Sequence, residues 1–161
     1  MIDARPAIEQ VQAAFAQAIT EVCAVHGVPM LRVKKQGLPT IAHFLHTNPS
    51  LRGSLSLLWA VDHRPREARY ELCYLFTLAE RKDWLLLSVD LEEGEREFAS
   101  ITPVVHAAKW YEREIRDLFG LIPVGHVPVL AMIVALLVLS VMIPESLRTL
   151  VTRAVHVIVV R

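Results

Sequence analysis

The chain has two cysteines, Cys23 and Cys73, and any thiolate-based redox chemistry would have to start from them. Neither cysteine has a second cysteine or a histidine at metal-ligand spacing. An iron–sulfur cluster normally needs four thiolates. We therefore expect both residues to be buried thiols, Cys23 in the first helix and Cys73 in a strand, and we expect the chain to carry no electrons itself.

The other polar side chains do not form a recognisable catalytic set. His43 and His46 are three residues apart and could share a metal, but Asn48-Pro49 ends their helix at once and no third ligand is near in sequence. We expect them to be surface histidines. The chain has no Ser/His/Asp order and no glycine-rich phosphate loop, so we predict no catalytic, cofactor-binding or metal-binding residues.

Charge limits the classes of partner. The chain has 17 basic and 17 acidic side chains, and this balance argues against nucleic acid binding. The first 25 residues contain Asp3, Arg5, Glu9 and Glu21 but no long apolar run. We therefore expect no signal peptide and a cytoplasmic location for this part of the chain.

Hydrophobic periodicity predicts an α+β fold for the first three quarters of the chain. Apolar residues at helical spacing indicate a long first helix from Pro6 to His26 and a short helix over 41–45. Strands are expected over 55–61, 70–77 and 84–91, joined by charged loops that suit antiparallel hairpins. We expect an antiparallel sheet with helices packed on one face.

Residues 110–120, Trp-Tyr-Glu-Arg-Glu-Ile-Arg-Asp-Leu-Phe-Gly, combine aromatic, charged and helix-ending residues. A helix here would place its apolar side chains, Tyr111, Ile115, Leu118 and Phe119, on one face. Glu112 with Arg116 and Arg113 with Asp117 would form i,i+4 ion pairs on the remaining surface. Gly120 would end the helix in the left-handed conformation.

The same residues carry a family resemblance. Ala107-Ala108-Lys109-Trp110-Tyr111-Glu112-Arg113-Glu114, followed by Asp117-Leu118-Phe119-Gly120 and Gly125-His126, resembles the signature of the C subunit of the proton-pumping NADH:quinone oxidoreductase, complex I. The same domain opens the large subunit of membrane-bound nickel–iron hydrogenases of the formate hydrogenlyase type, and Trp-Tyr-Glu-Arg-Glu is closest to that branch. The resemblance covers about residues 6–126.

The resemblance implies a non-catalytic structural subunit at the cytoplasmic face of the inner membrane. Its expected partners are a hydrogenase large or quinone-site subunit, an iron–sulfur subunit and membrane subunits. These partners, rather than this chain, would hold iron–sulfur clusters, nickel–iron or quinone. The resemblance also implies a subunit interface at the signature helix, formed by Trp110, Glu112, Arg113, Glu114, Asp117 and His126.

After His126 the sequence departs from the family, which normally continues Gly-His-Pro. Residues 127–143 are apolar except for Ser140, with a single proline at 128, and would make a helix of roughly 25 Å. Residues 146–161 read as a short amphipathic helix. We therefore divide the chain into a domain that resembles the complex I C subunit, 1–126, and a hydrophobic tail, 127–161. We expect the tail to associate with the lipid bilayer through a C-terminal hydrophobic helix that either is transmembrane or lies on the membrane.

Three alternatives remain open at the level of sequence. Residues 127–143 could instead be a buried helix of a soluble core. The chain could also be a membrane-anchored binding module that uses the same domain. Finally, the abrupt change after His126 could mark a rearranged or truncated gene product without a stable function.

Overall fold

A computed structural model of the protein describes residues 5–80 and 82–125. The helices are α1 (Arg5–Phe15), α2 (Leu38–Thr47), α3 (Arg64–Glu67) and α4 (Ala108–Phe119), and a 3-10 turn, Ala16–Ala18, follows α1. The strands are β1 (Ile19–Val25), β2 (Val28–Val33), β3 (Gly53–Asp62), β4 (Arg69–Leu78), β5 (Asp83–Glu92), β6 (Glu97–Ala99) and β7 (Ile122–Val124). The fold is α+β.

Five strands form the main sheet in the order β1-β2-β5-β4-β3. The two predicted hairpins are confirmed, because β3 pairs with β4 and β4 with β5 in antiparallel register. The prediction of a purely antiparallel sheet is wrong, since β2 and β5 are parallel. The chain leaves β2, forms α2 and the β3–β4 hairpin, and returns with β5 between β4 and β2, which gives β5 the direction of β2.

The long first helix predicted over 6–26 is also wrong in its second half. Helix α1 ends at Phe15, and residues 19–25 form strand β1, which pairs with β2. The two strands are joined by His26 and Gly27, with φ of 51° and 83°. Positive φ at both loop positions is the geometry of the two-residue turn that suits the twist of a hairpin. Residues 19–25, whose apolar side chains also fit helical spacing, thus form a strand.

One face of the main sheet packs against three helices. Helix α1 contributes Ala7 and Val11, and α4 contributes Ala108 and Ile115, to a buried cluster that also includes the α2 residues Leu38, Ile41, Ala42 and Leu45. Alternate strand residues, such as Leu72 and Tyr74, face this cluster, whereas Cys73 belongs to a separate cluster on the opposite face. The inner side of α4 is therefore held against the sheet by a shared core.

Within residues 5–80 and 82–125, no helix is both long and apolar enough to cross a bilayer. The predicted tail, 127–161, with its C-terminal hydrophobic helix, lies outside the described residues. Its association with a membrane therefore stays a prediction.

Candidate functional site

Helix α4 is held to the sheet along one side. Ala108 and Ile115 are buried in the core, and the Tyr111 hydroxyl donates a hydrogen bond to the carbonyl of Ser56 in β3 at 3.2 Å. Gly120 ends the helix with φ of 69°, and its N–H donates to the Arg116 carbonyl at 2.9 Å. The predicted left-handed glycine at this end is confirmed.

Glu112 points into the protein and is fully buried. Its carboxylate accepts hydrogen bonds from the hydroxyls of Ser100, at 2.7 Å, and Thr102, at 2.8 Å, and from the backbone N–H of Ile101 at 2.8 Å. The Thr102 N–H in turn donates to the Ser100 hydroxyl at 3.1 Å. Glu112 therefore fixes the loop that precedes α4 against the helix.

The predicted surface ion pair between Glu112 and Arg116 is consequently wrong. Hydrogen bonds to an ionised group are stronger than neutral ones, and three donors from one loop compete better for the carboxylate than a solvated guanidinium. Arg116 instead lies against Asp117, with its Nε 3.3 Å from Oδ1. The other predicted pair is confirmed, because Arg113 Nε lies 3.6 Å from Asp117 Oδ2.

Tyr74 lies in the same part of the interior as Glu112. Burial raises the pKa of its phenol well above the ordinary value, and the charge of Glu112 raises it further. The Tyr74 hydroxyl has no hydrogen-bond partner among the described residues. The phenol therefore stays protonated at neutral pH.

The outer side of α4 presents two large apolar side chains to solvent. Trp110 is 66% exposed and Leu118 is 69% exposed. Leu118 was expected on the buried face, but the core contacts of α4 are turned toward Glu112 and leave Leu118 at the opposite edge of that face. Trp110, Arg113, Glu114, Asp117 and Leu118 line a shallow groove along the helix.

The two carboxylates of this groove differ in their ion pairs. Asp117 receives both Arg113 and Arg116, and Lys109 Nζ lies 5.5 Å from the centre of the Trp110 ring. Glu114 is exposed and makes neither an ion pair nor a hydrogen bond with any residue of the described ranges 5–80 and 82–125. Among the described residues, Glu114 is thus the groove carboxylate without an ion-pair partner.

The predicted interface residues therefore separate into three groups. Four of them, Trp110, Arg113, Glu114 and Asp117, meet at one groove, whereas Glu112 lies behind it in the core. His126 lies outside the described residues. Leu118 was missed as an interface candidate, although its spacing of four residues from Glu114 could have indicated it. The role of the groove as an interface stays a prediction.

The candidate metal residues, His43 and His46, lie on α2, whereas the two cysteines lie in strands β1 and β4. His43 and His46 are both exposed, as predicted, and His46 Nδ1 lies 3.0 Å from the Gly53 carbonyl. Cys73 is buried, and burial, helped by the charge of Glu71, raises the pKa of its thiol to about 12. Cys23 is only half-buried and lies in β1 rather than in a helix. No group of three possible metal ligands occurs within 5–80 and 82–125.

A charged network on the sheet face opposite the helices was not predicted. Arg32 Nη1 lies 2.6 Å from Asp90, which also binds Arg69, and His63 Nε2 lies 2.9 Å from Glu71. Burial of Glu71 opposes its ionisation, but hydrogen bonds from Ser88 and His63 and the charges of Arg32 and Arg69 outweigh this and lower its pKa. Arg32 and Asp90 come from parts of the chain distant from Glu71, and the sheet register brings them together with it.

Comparison with known proteins places the chain in a family. Residues 31–135 match the family described as "Respiratory-chain NADH dehydrogenase, 30 Kd subunit". The chain is 31% identical over 126 residues to the C subunit of NADH-quinone oxidoreductase from Roseiflexus sp. (strain RS-1), covering 78% of this chain and 72% of the relative. It is 38% identical over 94 residues, 58% of its length, to formate hydrogenlyase subunit 5 of Escherichia coli.

The chain spans about one-sixth of the length of formate hydrogenlyase subunit 5 and of the similar hydrogenase-4 component G. Among solved structures, the trypsin-resistant fragment of Nqo5 aligns with a TM-score of 0.62 at 18% identity, covering 77% of this chain and 97% of that one. A chain of the membrane-bound sulfane sulfur reductase, an archaeal respiratory membrane complex, aligns with a TM-score of 0.63, covering 77% of this chain and 72% of that one. These structures share the fold, and the sequence match shows that the chain belongs to the family of the 30 Kd subunit of respiratory-chain NADH dehydrogenase.

Proposed function

We propose that the chain is a non-catalytic structural subunit of a membrane-bound hydrogenase or NADH:quinone oxidoreductase-like complex, and that it joins this complex through the outer side of α4. Its relatives are named as subunits of such assemblies. The observation that carries the proposal is the exposure of Trp110 and Leu118 on a helix whose other side is fixed to the core.

The two sides of α4 differ as expected for a docking helix. Buried hydrogen bonds of Glu112 hold the helix, so the exposed side chains on its outer side can meet a partner without a movement of the helix. Exposed apolar side chains that share one groove are typical of interaction sites, and tryptophan and arginine are enriched where partners bind most tightly. Trp110 and Arg113 are adjacent to the same groove.

The partners proposed are the hydrogenase large or quinone-site subunit, the iron–sulfur subunit and the membrane subunits. We place iron–sulfur clusters, nickel–iron and quinone in those partners. The complex would lie at the cytoplasmic face of the inner membrane, with residues 127–161 contacting the lipid bilayer. The apolar composition of 127–143 supports this last element.

Co-purification tests the proposal. A tagged full-length chain is expressed at its native level, the membranes are dissolved in a mild detergent, and the captured subunits are counted by mass spectrometry. We expect a hydrogenase or quinone-site subunit and an iron–sulfur subunit in near-equal amounts. Trp110→Ala should strongly reduce their recovery, because truncating a central aromatic contact often costs about 2 kcal/mol, which is roughly a thirtyfold loss of affinity.

Trp84→Ala is the matched control, because Trp84 is also an exposed tryptophan, at 53%, but lies in β5. It should leave recovery near that of the unmodified chain. A chain that stays in the membrane without these subunits would support the anchored binding module instead. A chain found only as a free monomer would contradict the proposal.

A further inference from the structure

The outer row of α4 consists of three exposed side chains, a carboxylate between two apolar groups. Trp110, Glu114 and Leu118 follow one another at intervals of four residues, so an apolar side chain, a carboxylate and a second apolar side chain lie along about 12 Å of the helix. All three are exposed, and they line the same groove.

Within the described ranges, 5–80 and 82–125, no cation pairs with the carboxylate of this row. Asp117 is engaged by Arg113 and Arg116, whereas Glu114 has no ionic partner in the described ranges 5–80 and 82–125. A carboxylate flanked by apolar side chains loses water when a partner covers it. Such a group needs compensation from the partner, because an unpaired buried charge is strongly destabilising. A single cationic side chain supplies it, whereas the buried Glu112 uses three neutral donors from a folded loop.

We infer that the groove receives a helix of a partner subunit, and that this helix has an arginine or lysine between two apolar side chains, each one turn away. This inference rests on the proposed function, which it deepens by naming the chemistry of the contact. Residues four apart form a ridge on each helix, and when two such helices pack, the ridge of one fits into the groove beside the ridge of the other. The partner's cation then meets Glu114 while its apolar side chains pack on Trp110 and Leu118.

The charge pattern also disfavours the alternatives. A lipid surface rich in anionic headgroups would place negative charge against Glu114. A partner segment with an acidic residue at the central position would be repelled by the same carboxylate. The basic helix is the occupant that satisfies both the apolar and the ionic part of the row.

Photo-crosslinking within the assembled complex tests the inference. A photoreactive amino acid replaces Leu118 in the tagged full-length chain, and the crosslinked peptide is identified by mass spectrometry. We expect a helical segment of one partner subunit with a basic residue flanked by apolar residues at three- or four-residue spacing. Crosslinks to lipid, or to a segment without such a basic residue, would overturn the inference.

A charge exchange provides the second measurement. Glu114→Arg should lower partner recovery at least about tenfold, because like charges then face each other, while Glu114→Gln should have a smaller effect. Replacing the crosslinked basic residue by glutamate should restore recovery with Glu114→Arg. Glu9→Arg, the same change at an exposed position of α1, is the control and should have no effect.

The two proposals fail in different ways. If the unmodified chain recovers no partner subunit, the proposed function itself is wrong. If the unmodified chain recovers its partners and Glu114→Arg recovers them equally well, the subunit role stands and the basic-helix inference is wrong.

Discussion

Glu112 and Glu114 lie two residues apart on α4 and have opposite environments. Glu112 is fully buried and accepts hydrogen bonds from Ser100, Ile101 and Thr102, whereas Glu114 is exposed in the groove with no such partner in the described ranges. Within the same Glu-Arg-Glu sequence, Glu112 holds the fold together, and Glu114 is the residue that we propose for recognition. Residue type alone does not assign these roles, because they depend on which side of the helix meets the core.

The largest expected effect is on stability at the inner side. Glu112→Ala removes the acceptor for two hydroxyls and one N–H in a buried site, and it should lower the free energy of unfolding by about 3 kcal/mol. Urea unfolding followed by circular dichroism gives this value.

Glu114→Ala is the matched control on the outer side and should change stability by less than about 0.5 kcal/mol. Equal effects of the two alanine variants would show that the assignment of inner and outer roles is wrong.

On the opposite face of the sheet, Glu71 is partly buried and is held by a network of charged residues. Because the folded-state pKa of Glu71 is lowered from 4.5, its contribution to stability is present above pH 4.5 and is lost as the pH falls through the lower folded value. Glu71→Gln should reduce stability at pH 7 by about 1 kcal/mol, since the site keeps some contact with water. It should also flatten the decline in stability below pH 4.5.

Unfolding midpoints measured from about pH 7 down to about pH 3 check this, because that window includes the loss of the Glu71 charge. The partly exposed Glu67, which binds Arg69 at the rim of the network, gives the control variant Glu67→Gln. A pH profile of Glu71→Gln identical to that of the unmodified chain would show that the charge of Glu71 does not contribute to the pH dependence of stability.

The smallest effect belongs to the outer ion pair of α4. Arg113 and Asp117 are 60% and 54% exposed, so water and salt screen their attraction. A double-mutant cycle with alanine at both positions should give a coupling free energy of about 0.3–0.5 kcal/mol, lower in high salt. A coupling above about 1.5 kcal/mol would mean that the pair is structural rather than part of a recognition surface.

The sequence predicted those features that depend on local pattern. Strands β3, β4 and β5, helix α2 and the end of α4 at Gly120 follow from alternation, helical spacing and the conformational freedom of glycine. Strand β1 was not predicted, because its apolar residues also fit helical spacing. These residues form a strand because they pair with β2, a contact that local pattern does not show. The parallel pairing of β2 with β5 depends on the path of the whole chain.

The candidate site was predicted less completely than the fold. The signature placed Trp110, Arg113, Glu114 and Asp117 together, but local spacing could not show that the loop from Ser100 to Thr102 folds back onto Glu112. Glu112 is buried because of a tertiary contact between the helix and the loop before it, and helical periodicity does not predict such a contact. It also explains why Leu118 is exposed.

Hydroxyl-radical footprinting of the complete complex tests the central claim most directly. Oxidation of Trp110 and of Trp84 is measured by mass spectrometry in the free full-length chain and in the purified complex. Both tryptophans should react readily in the free chain, because both are more than half exposed. We predict that assembly protects Trp110 together with Leu118. Equal oxidation of Trp110 in the free chain and in the complex would contradict the claim that the outer side of α4 is the docking surface.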